Sequence, residues 1–403
     1  MMLLEGTVQA YAWGSHDAIP ALLGIEPTGE PHAELWLGAH PKSPSTLPEQ
    51  QADLLRVINA HPELLGTRSV EQFGPTLPFM MKVLSASQPL SLQAHPNRAQ
   101  AEAGFDAENA AGVSLDDPRR SFKDPWPKPE MAVALTPFST LSGFRPACQT
   151  ADLLEKLDAG PELNPVIGAL KNRVGEAALA EVFLVALSLA EQHQGLVDQV
   201  VAAALRHVDD RGELGVFART AIELDEHFPG DPGILAGLLL NRLDLEPGHA
   251  VFMNPGNMHA HLKGTCIEIM ASSDNVLRAG LTQKHIDVDG LVQVVEFVGQ
   301  PTMLVDPVTE APGLSRYPTP SPEFALWHIE LGRGASSNEP LLLPASEGAR
   351  ILLVEDGYLA CSGADETVEV VKGRSLFIPA GEVVRVNGDA VAWLAAAGIY
   401  AGA

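Results

Sequence analysis

The change of texture near Thr150 restricts the possible folds more than any other feature of this chain. From there to about Asn241, Ala, Leu and Glu dominate and apolar residues recur at helical spacing, as in Ala180-Glu181-Val182-Phe183-Leu184-Val185-Ala186-Leu187 and Leu196-Val197-Asp198-Gln199-Val200-Val201. Thr150 and Asp152 suit a helix start, and Gly160-Pro161 suits a stop. Before this block the pattern is one of short extended runs and turns, such as Glu34-Leu35-Trp36-Leu37-Gly38 and Phe79-Met80-Met81-Lys82-Val83-Leu84. Alternating strands return at Gly248. A helical block between two stretches of strand pattern reads as an insertion into one β domain, with residues 1–145 as its first part, 146–241 as the insertion and 242–322 as its second part. That last part ends in a linker carrying Pro301, Pro307, Pro312, Pro318, Pro320 and Pro322. Residues 323–403 are again short strands and turns. The expected class is mainly β with an α insertion.

An internal echo points to two similar β units. Pro247-Gly248, Val251-Phe252-Met253 and Pro255-Gly256 resemble Lys372-Gly373, Leu376-Phe377-Ile378 and Pro379-Ala380-Gly381. Each is a strand, a tight turn and a return strand, the pattern of a cupin-like jelly-roll barrel. Four residues after the proline stands His259 in the first copy and Val383 in the second, so the second copy is expected to keep the fold and hold no metal.

With 403 residues, 46% of them hydrophobic, the chain can fill two or three domain cores. Its 26 basic and 51 acidic residues give a net charge of −25, which disfavours nucleic acid and acidic membrane surfaces as partners. Met1 to Gly14 carries Glu5 and has neither a basic region nor a long apolar core, so no signal peptide or membrane span is expected and the expected location is cytoplasmic. Cys148, Cys266 and Cys361 are widely spaced without any CxxC, which argues against disulfides and thiolate metal sites and makes them packing residues.

Two distant stretches are suited to grip one metal. In Leu90-Ser91-Leu92-Gln93-Ala94-His95-Pro96, alternation sends Ser91, Gln93 and His95 to one strand face before Pro96 stops it. In Asn257-Met258-His259-Ala260-His261, which follows a Pro-Gly-Asn turn, the same period sets His259 beside His261. Between them, Glu130 introduces the apolar run Met131 to Leu135. Gln, Glu and at least two His form an N/O donor set suited to zinc, with iron or manganese as rivals. An anionic ligand would need scarce cations near the site, and Lys123, Lys128, Arg278 and Lys284 flank it in sequence. Glu130 could equally pair with Lys128, and Arg278 with Asp274. His259 and His261 with a carboxylate also match the facial triad of an Fe(II) oxygenase, and a noncatalytic, sugar-binding two-barrel protein is a further alternative.

A resemblance covers nearly the whole chain. Tyr11-Ala12-Trp13-Gly14, the run Ala33 to Pro41, Leu77 to His95, Phe122-Lys123-Asp124-Pro125 with Lys128-Pro129-Glu130, and His259 to Asp287 are similar to the type I phosphomannose isomerases, a zinc-dependent mannose-6-phosphate isomerase family. The run Glu268 to Thr282 carries most of the likeness. It implies one zinc per chain on Gln93, His95, Glu130 and His259, and a catalytic Arg278. It also places Trp13, Ser91, Lys128, Glu268 and Asp274 in or near the substrate pocket, with Lys128 and Ser91 suited to phosphate or hydroxyls and Glu268 and Asp274 as candidate bases. The implied reaction converts D-mannose 6-phosphate to D-fructose 6-phosphate through an enediol, feeding mannose and GDP-mannose metabolism. The implied partner is a small sugar phosphate, and the implied state a monomer or weak homodimer. Trp126-Pro127 replaces the family's usual Asn-His, and His261 replaces a common Tyr.

Overall fold

The computed structural model describes residues 1–173, 175–192, 195–332 and 339–399. Eight strands build the part of the fold that carries the predicted ligands: β1 (Glu34–Leu37), β2 (Phe79–Ala86), β3 (Leu92–Ala94), β4 (Glu130–Ala134), β5 (Phe138–Phe144), β6 (Ala250–Met253), β7 (His259–Ala271) and β8 (Leu277–Gly280). They pair antiparallel in the order β6-β4-β7-β2-β1, with β5, β3 and β8 completing the barrel from the other end of β7. The long strand β7 therefore serves both walls. Its half from His259 to Lys263 pairs with β5, and its half from Gly264 to Ala271 pairs with β2. The corner falls at Gly264, whose φ of +114° is open to glycine and whose added Cβ would lie 2.5 Å from the Pro137 carbonyl oxygen.

The pleat sorts the residues of β2, β4 and β7 into two buried faces. Met81, Val83, Met131, Val133, Ile267 and Ile269 point outward into an apolar layer shared with Ile351, Leu353, Phe377, Trp393 and Ala395 of a second barrel. Lys82, Glu130 and Glu268, on the alternate positions, point into the first barrel. Burial on both faces explains why β2 reads as a nearly continuous apolar run, broken by Lys82.

The second barrel is built on β9 (Ala325–Leu331), β10 (Arg350–Ser362), β11 (Ser375–Ile378) and β12 (Arg385–Ala396), in the order β11-β10-β12-β9. Its sheet reaches beyond the boundary expected near residue 323. Met2–Leu4 pairs with β11 at one edge, and Val308–Ala311 and Leu314–Tyr317 form a hairpin at the other. The stretch read as a linker is thus strand, because Pro307, Pro312 and Pro318 lie at the strand ends, where no ladder N–H is needed. The counting that paired His259 with Val383 also needs correction. The echo aligns Met253 with Ile378 and Gly256 with Gly381, and the same offset puts Val384, buried, at the place of His259, while Val383 is 61% exposed.

The inserted block is helical, from Ala147–Leu157 through Asn164–Asn172, Glu176–Gln192, Leu196–Ala204 and Glu213–His227 to Gly233–Gly237. Its first helix starts at Ala147 rather than Thr150, because Pro146 supplies a fixed φ at the start and its carbonyl accepts the Thr150 N–H at 3.1 Å. Cys148 lies exposed on this helix, contrary to a packing role, whereas Cys266 and Cys361 are buried; all three thiols are free. Among the described residues no helix is long and apolar enough to cross a membrane. The corner in β7 is open to a stability test. Gly264→Ala should cost roughly 1–3 kcal/mol in urea denaturation, more than Gly24→Ala, where the new Cβ meets open space. Equal losses would mean that the contact with Pro137 adds nothing to the positive-φ strain that both positions share.

Candidate active site

Strand register assembles the site. His259 on β7 lies opposite Gln93 on β3, and Gln93 lies opposite Arg278 on β8, so the three side chains leave the sheet on one face. His95 follows just past the end of β3. There Pro96 and the helix Arg98–Ala110, capped by a reciprocal Asn97–Gln100 box, end the extended segment. Glu130 enters as the first residue of β4, facing the barrel interior.

These elements bring three ligand atoms together. The Nε2 atoms of His95 and His259 lie 3.2 and 3.1 Å from Glu130 Oε2. His95 Nδ1 is 2.7 Å from the Asn275 carbonyl oxygen and His259 Nδ1 is 3.1 Å from that of Asn257. A carbonyl only accepts, so each Nδ1 carries the hydrogen and each Nε2 presents a lone pair. Two lone pairs and a carboxylate oxygen therefore converge in a buried place, and among the described residues none of the three atoms has a hydrogen-bond partner. Such an arrangement is repulsive until a cation enters it. Among the described residues this is the one group of three or more His, Cys, Asp or Glu side chains placed to hold a metal, and Gln93 lies opposite His259 on the adjoining strand. The set fits a tetrahedral divalent ion of the zinc type. Glu130 Oε1 meanwhile accepts from the buried Lys128 ammonium at 3.0 Å. Burial alone would raise the Glu130 carboxyl, but Lys128 and His95 hold it well below the usual carboxylate range. Burial, aided by Lys128, pushes the His95 imidazole down to about 4, which keeps it neutral and able to ligate.

His261 does not join this group. Its Nδ1 lies 3.1 Å from Thr140 Oγ1 and its Nε2 3.4 Å from Glu268 Oε1, so a facial triad of His259, His261 and a carboxylate is not formed. Glu268 Oε2 pairs with Lys82 at 3.0 Å, and Lys82 lies 3.3 Å from Glu34, which accepts the Trp36 indole N–H at 2.7 Å. Burial opposes ionisation of Glu268, yet Lys82 overrides it and holds the carboxyl at about 2. Lys82 and Glu34 were absent from the sequence-derived site, although a lone lysine inside an apolar run buried on both faces was the available signal.

Asp274 is held differently. His40 Nε2 donates to it at 3.1 Å and Lys42 Nζ at 2.7 Å, while its backbone N–H donates to Asp124. Next to it, Asn275 takes the Lys123 N–H and donates to the carbonyls of Asp124 and Trp126. The departure at Trp126 thus costs the loop nothing, since it uses a main-chain oxygen, and the ring packs with its face 3.9 Å from the Arg98 guanidinium. With Asp274 engaged elsewhere, Arg278 has no carboxylate partner within ion-pair distance among the described residues. It is half-buried, and burial lowers its pKa. Lys284 is lowered too, by burial and then by Arg278, Lys123 and Lys42, which marks these four cations as neighbours. Lys128 is not among them. Trp13 packs partly buried against the interior cluster containing Leu84, Ala134 and Cys266, and Ser91 is half-buried just before β3.

Fold and site together define a two-barrel protein of the cupin class with one metal-ready barrel. The family profile described as phosphomannose isomerase type I, catalytic domain, matches residues 1–147. The mannose-6-phosphate isomerase of Escherichia coli strain K12 is 37% identical over 389 residues, covering 95% of each chain, and that of Homo sapiens is 32% identical over 414 residues, covering 95% of this chain and 94% of its own. A crystal structure of mannose 6-phosphate isomerase bound with zinc and yttrium superposes with a TM-score of 0.86 at 33% identity, covering 98% of this chain and 99% of that one. This chain belongs to the type I mannose-6-phosphate isomerase family.

The Asp274 clamp has a pH signature. Burial opposes its charge, but hydrogen bonds from His40 and Lys42 depress its carboxyl below the ordinary 3.8. A depressed carboxyl stabilises the fold above its unfolded value and loses that contribution as pH falls toward the folded one. Urea titrations from about pH 5 down to pH 2 should therefore show the stability gap between wild type and Asp274→Asn shrinking as the pH drops. A gap that stays constant would mean that the clamp does not depend on charge.

Proposed function

We infer that this chain interconverts D-mannose 6-phosphate and D-fructose 6-phosphate as a zinc enzyme, with Gln93, His95, Glu130 and His259 holding the ion. The observation that carries this reading is the convergence of two pinned imidazole lone pairs and one carboxylate oxygen, with Arg278, which has no acid partner among the described residues, opposite Gln93 on the adjoining strand. A zinc ion held by these residues would supply a Lewis acid for oxygens of the sugar. The chain's own groups do the remaining work. Isomerisation moves a proton from C2 of the open aldose to C1 through an enediol, without any external oxidant or reductant. Glu268 is the preferred of the two candidate bases, because it faces the barrel interior and its Oε1 has only the longer His261 contact at 3.4 Å, while both oxygens of Asp274 accept at 3.1 Å or less. A carboxylate held at about 2 is a weak base. The carbon must then be acidified by stabilising the developing enediolate, which Arg278 does with a planar fork of donors. Lys82, kept protonated between Glu34 and Glu268, positions Glu268. Lys42, Lys123 and Lys284 form the positive rim that draws a phosphate toward a chain of net charge −25. Lys128 serves the metal by tying Glu130 rather than by binding phosphate, and Trp13 and Ser91 line the approach. All these groups come from one chain, in keeping with a monomer or weak homodimer acting on a small sugar phosphate in the cytoplasm.

The purified protein should carry about one zinc per chain, and His259→Ala should lose metal and isomerase activity together, with helical circular dichroism retained. Fully active protein free of divalent metal by elemental analysis would overturn this reading. Arg278→Ala should lower kcat and kcat/KM together by roughly a hundredfold or more with zinc intact, and Arg278→Lys should recover part of the loss. A raised KM at unchanged kcat would instead make Arg278 a phosphate holder.

A further inference from the structure

The largest buried charge outside the active site is Arg350, 1% exposed, at the start of β10 in the second barrel. Its place has a counterpart in the first barrel. The echo that aligns Pro247-Gly248 with Lys372-Gly373 and Val251-Phe252-Met253 with Leu376-Phe377-Ile378 is repeated in the backbone: Gly248 and Gly373 have φ of 88° and 76°, and Gly256 and Gly381 have φ of 85° and 74°. Strand β6 thus corresponds to β11. In the first barrel β4 pairs with both β6 and β7; in the second, β10 pairs with both β11 and β12. Register then fixes single residues. Opposite Met253 and Met270 stands Glu130, and opposite Ile378 and Ala396 stands Arg350. Each is the first residue of its strand. Each also faces inward, since Ile378 and Ala396 belong to the second barrel's interior cluster, whereas Ile351, Phe377 and Ala395 belong to the layer between the barrels. Arg350 therefore occupies the position of the carboxylate at the centre of the metal-ready cluster.

The partners correspond as well. In the first barrel the Asn257 carbonyl, one residue past Gly256, faces His259 Nδ1. In the second, the Glu382 carbonyl, one residue past Gly381, accepts from an Arg350 terminal nitrogen. The other terminal nitrogen donates to the Pro344 carbonyl at 2.8 Å. Where His259 would stand, Val384 fills the interior.

We propose that the Arg350 guanidinium is a covalently attached cation that does for the second barrel what a bound metal does for the first, tying the start of one strand to the turn that follows the next and closing the barrel end. A permanent charge on a side chain needs no supply from solution, so the second barrel should hold its shape under conditions that empty the first. The carboxylate of Glu382 is tied separately to the Met1 ammonium, so the tie to its carbonyl can be tested without removing that contact.

Hydrogen exchange read segment by segment separates the two closures, using the full-length protein before and after treatment with a chelator. In wild type, chelation should speed exchange in residues 93–95, 130–134 and 254–262 and leave 350–354 and 376–386 unchanged. Arg350→Met should do the reverse, speeding exchange in 341–344 and 376–386 by roughly tenfold or more while zinc content and low-temperature activity stay at wild-type values. Arg350→Lys, which keeps the charge but not the fork, should lie between them. Chelation that loosens both barrels alike, or an Arg350→Met protein whose 376–386 segment exchanges as in wild type, would overturn the proposal. If Arg350→Met does not fold, the chelated wild type and Arg350→Lys still decide the matter.

Discussion

Two imidazole lone pairs, each held about 3 Å from one buried carboxylate oxygen, need positive charge, and much of the structure around them follows from that need. Glu130 meets it partly with Lys128 on its second oxygen. The imidazoles cannot meet it themselves, because main-chain carbonyls hold the hydrogens on their far nitrogens. The Asn275 carbonyl is in turn fixed by the stitching of residues 273–275 to Asp124 and Trp126, so a loop on the barrel rim determines which His95 nitrogen faces inward.

The apolar layer between the barrels makes this arrangement rigid. Because Met131, Val133, Ile267 and Ile269 are sealed against Ile351, Leu353 and Trp393, strands β4 and β7 cannot shift by one residue without exchanging their charged and apolar faces. The register that puts His259 beside Gln93 is therefore enforced by packing on the far side of the sheet. The charged interior row of Lys82, Glu268 and Glu34 is the price of that packing, and it survives because each member has an opposite partner.

Much of this was legible in the chain because the relevant signals are short and periodic. Period-two alternation selected Gln93 and His95, a Pro-Gly turn announced His259, and the Ala/Leu/Glu block announced the insertion. What escaped had long-range causes. Lys82 stands out in its apolar run, but its partners Glu34 and Glu268 come from strands far from it in sequence. The hairpin within 308–317 was hidden because prolines mark strand ends as readily as linkers. His261 shares a strand face with His259, but the corner at Gly264 turns the strand so that its ring meets Glu268, and periodicity contains no bend. Asp274 and Arg278, four residues apart, invited pairing, yet His40 and Lys42 from a distant loop took the carboxylate.

The short strand Met2–Leu4 hydrogen-bonds along β11, with Leu4 opposite Ser375. This edge of the second barrel can close only after both partners exist, although they lie about 370 positions apart in the chain. At ribosomal rates of roughly 5–20 residues per second, the early strand waits on the order of half a minute with its ladder unpaired. A strand of three residues offers little edge for a stray chain to pair with during that wait.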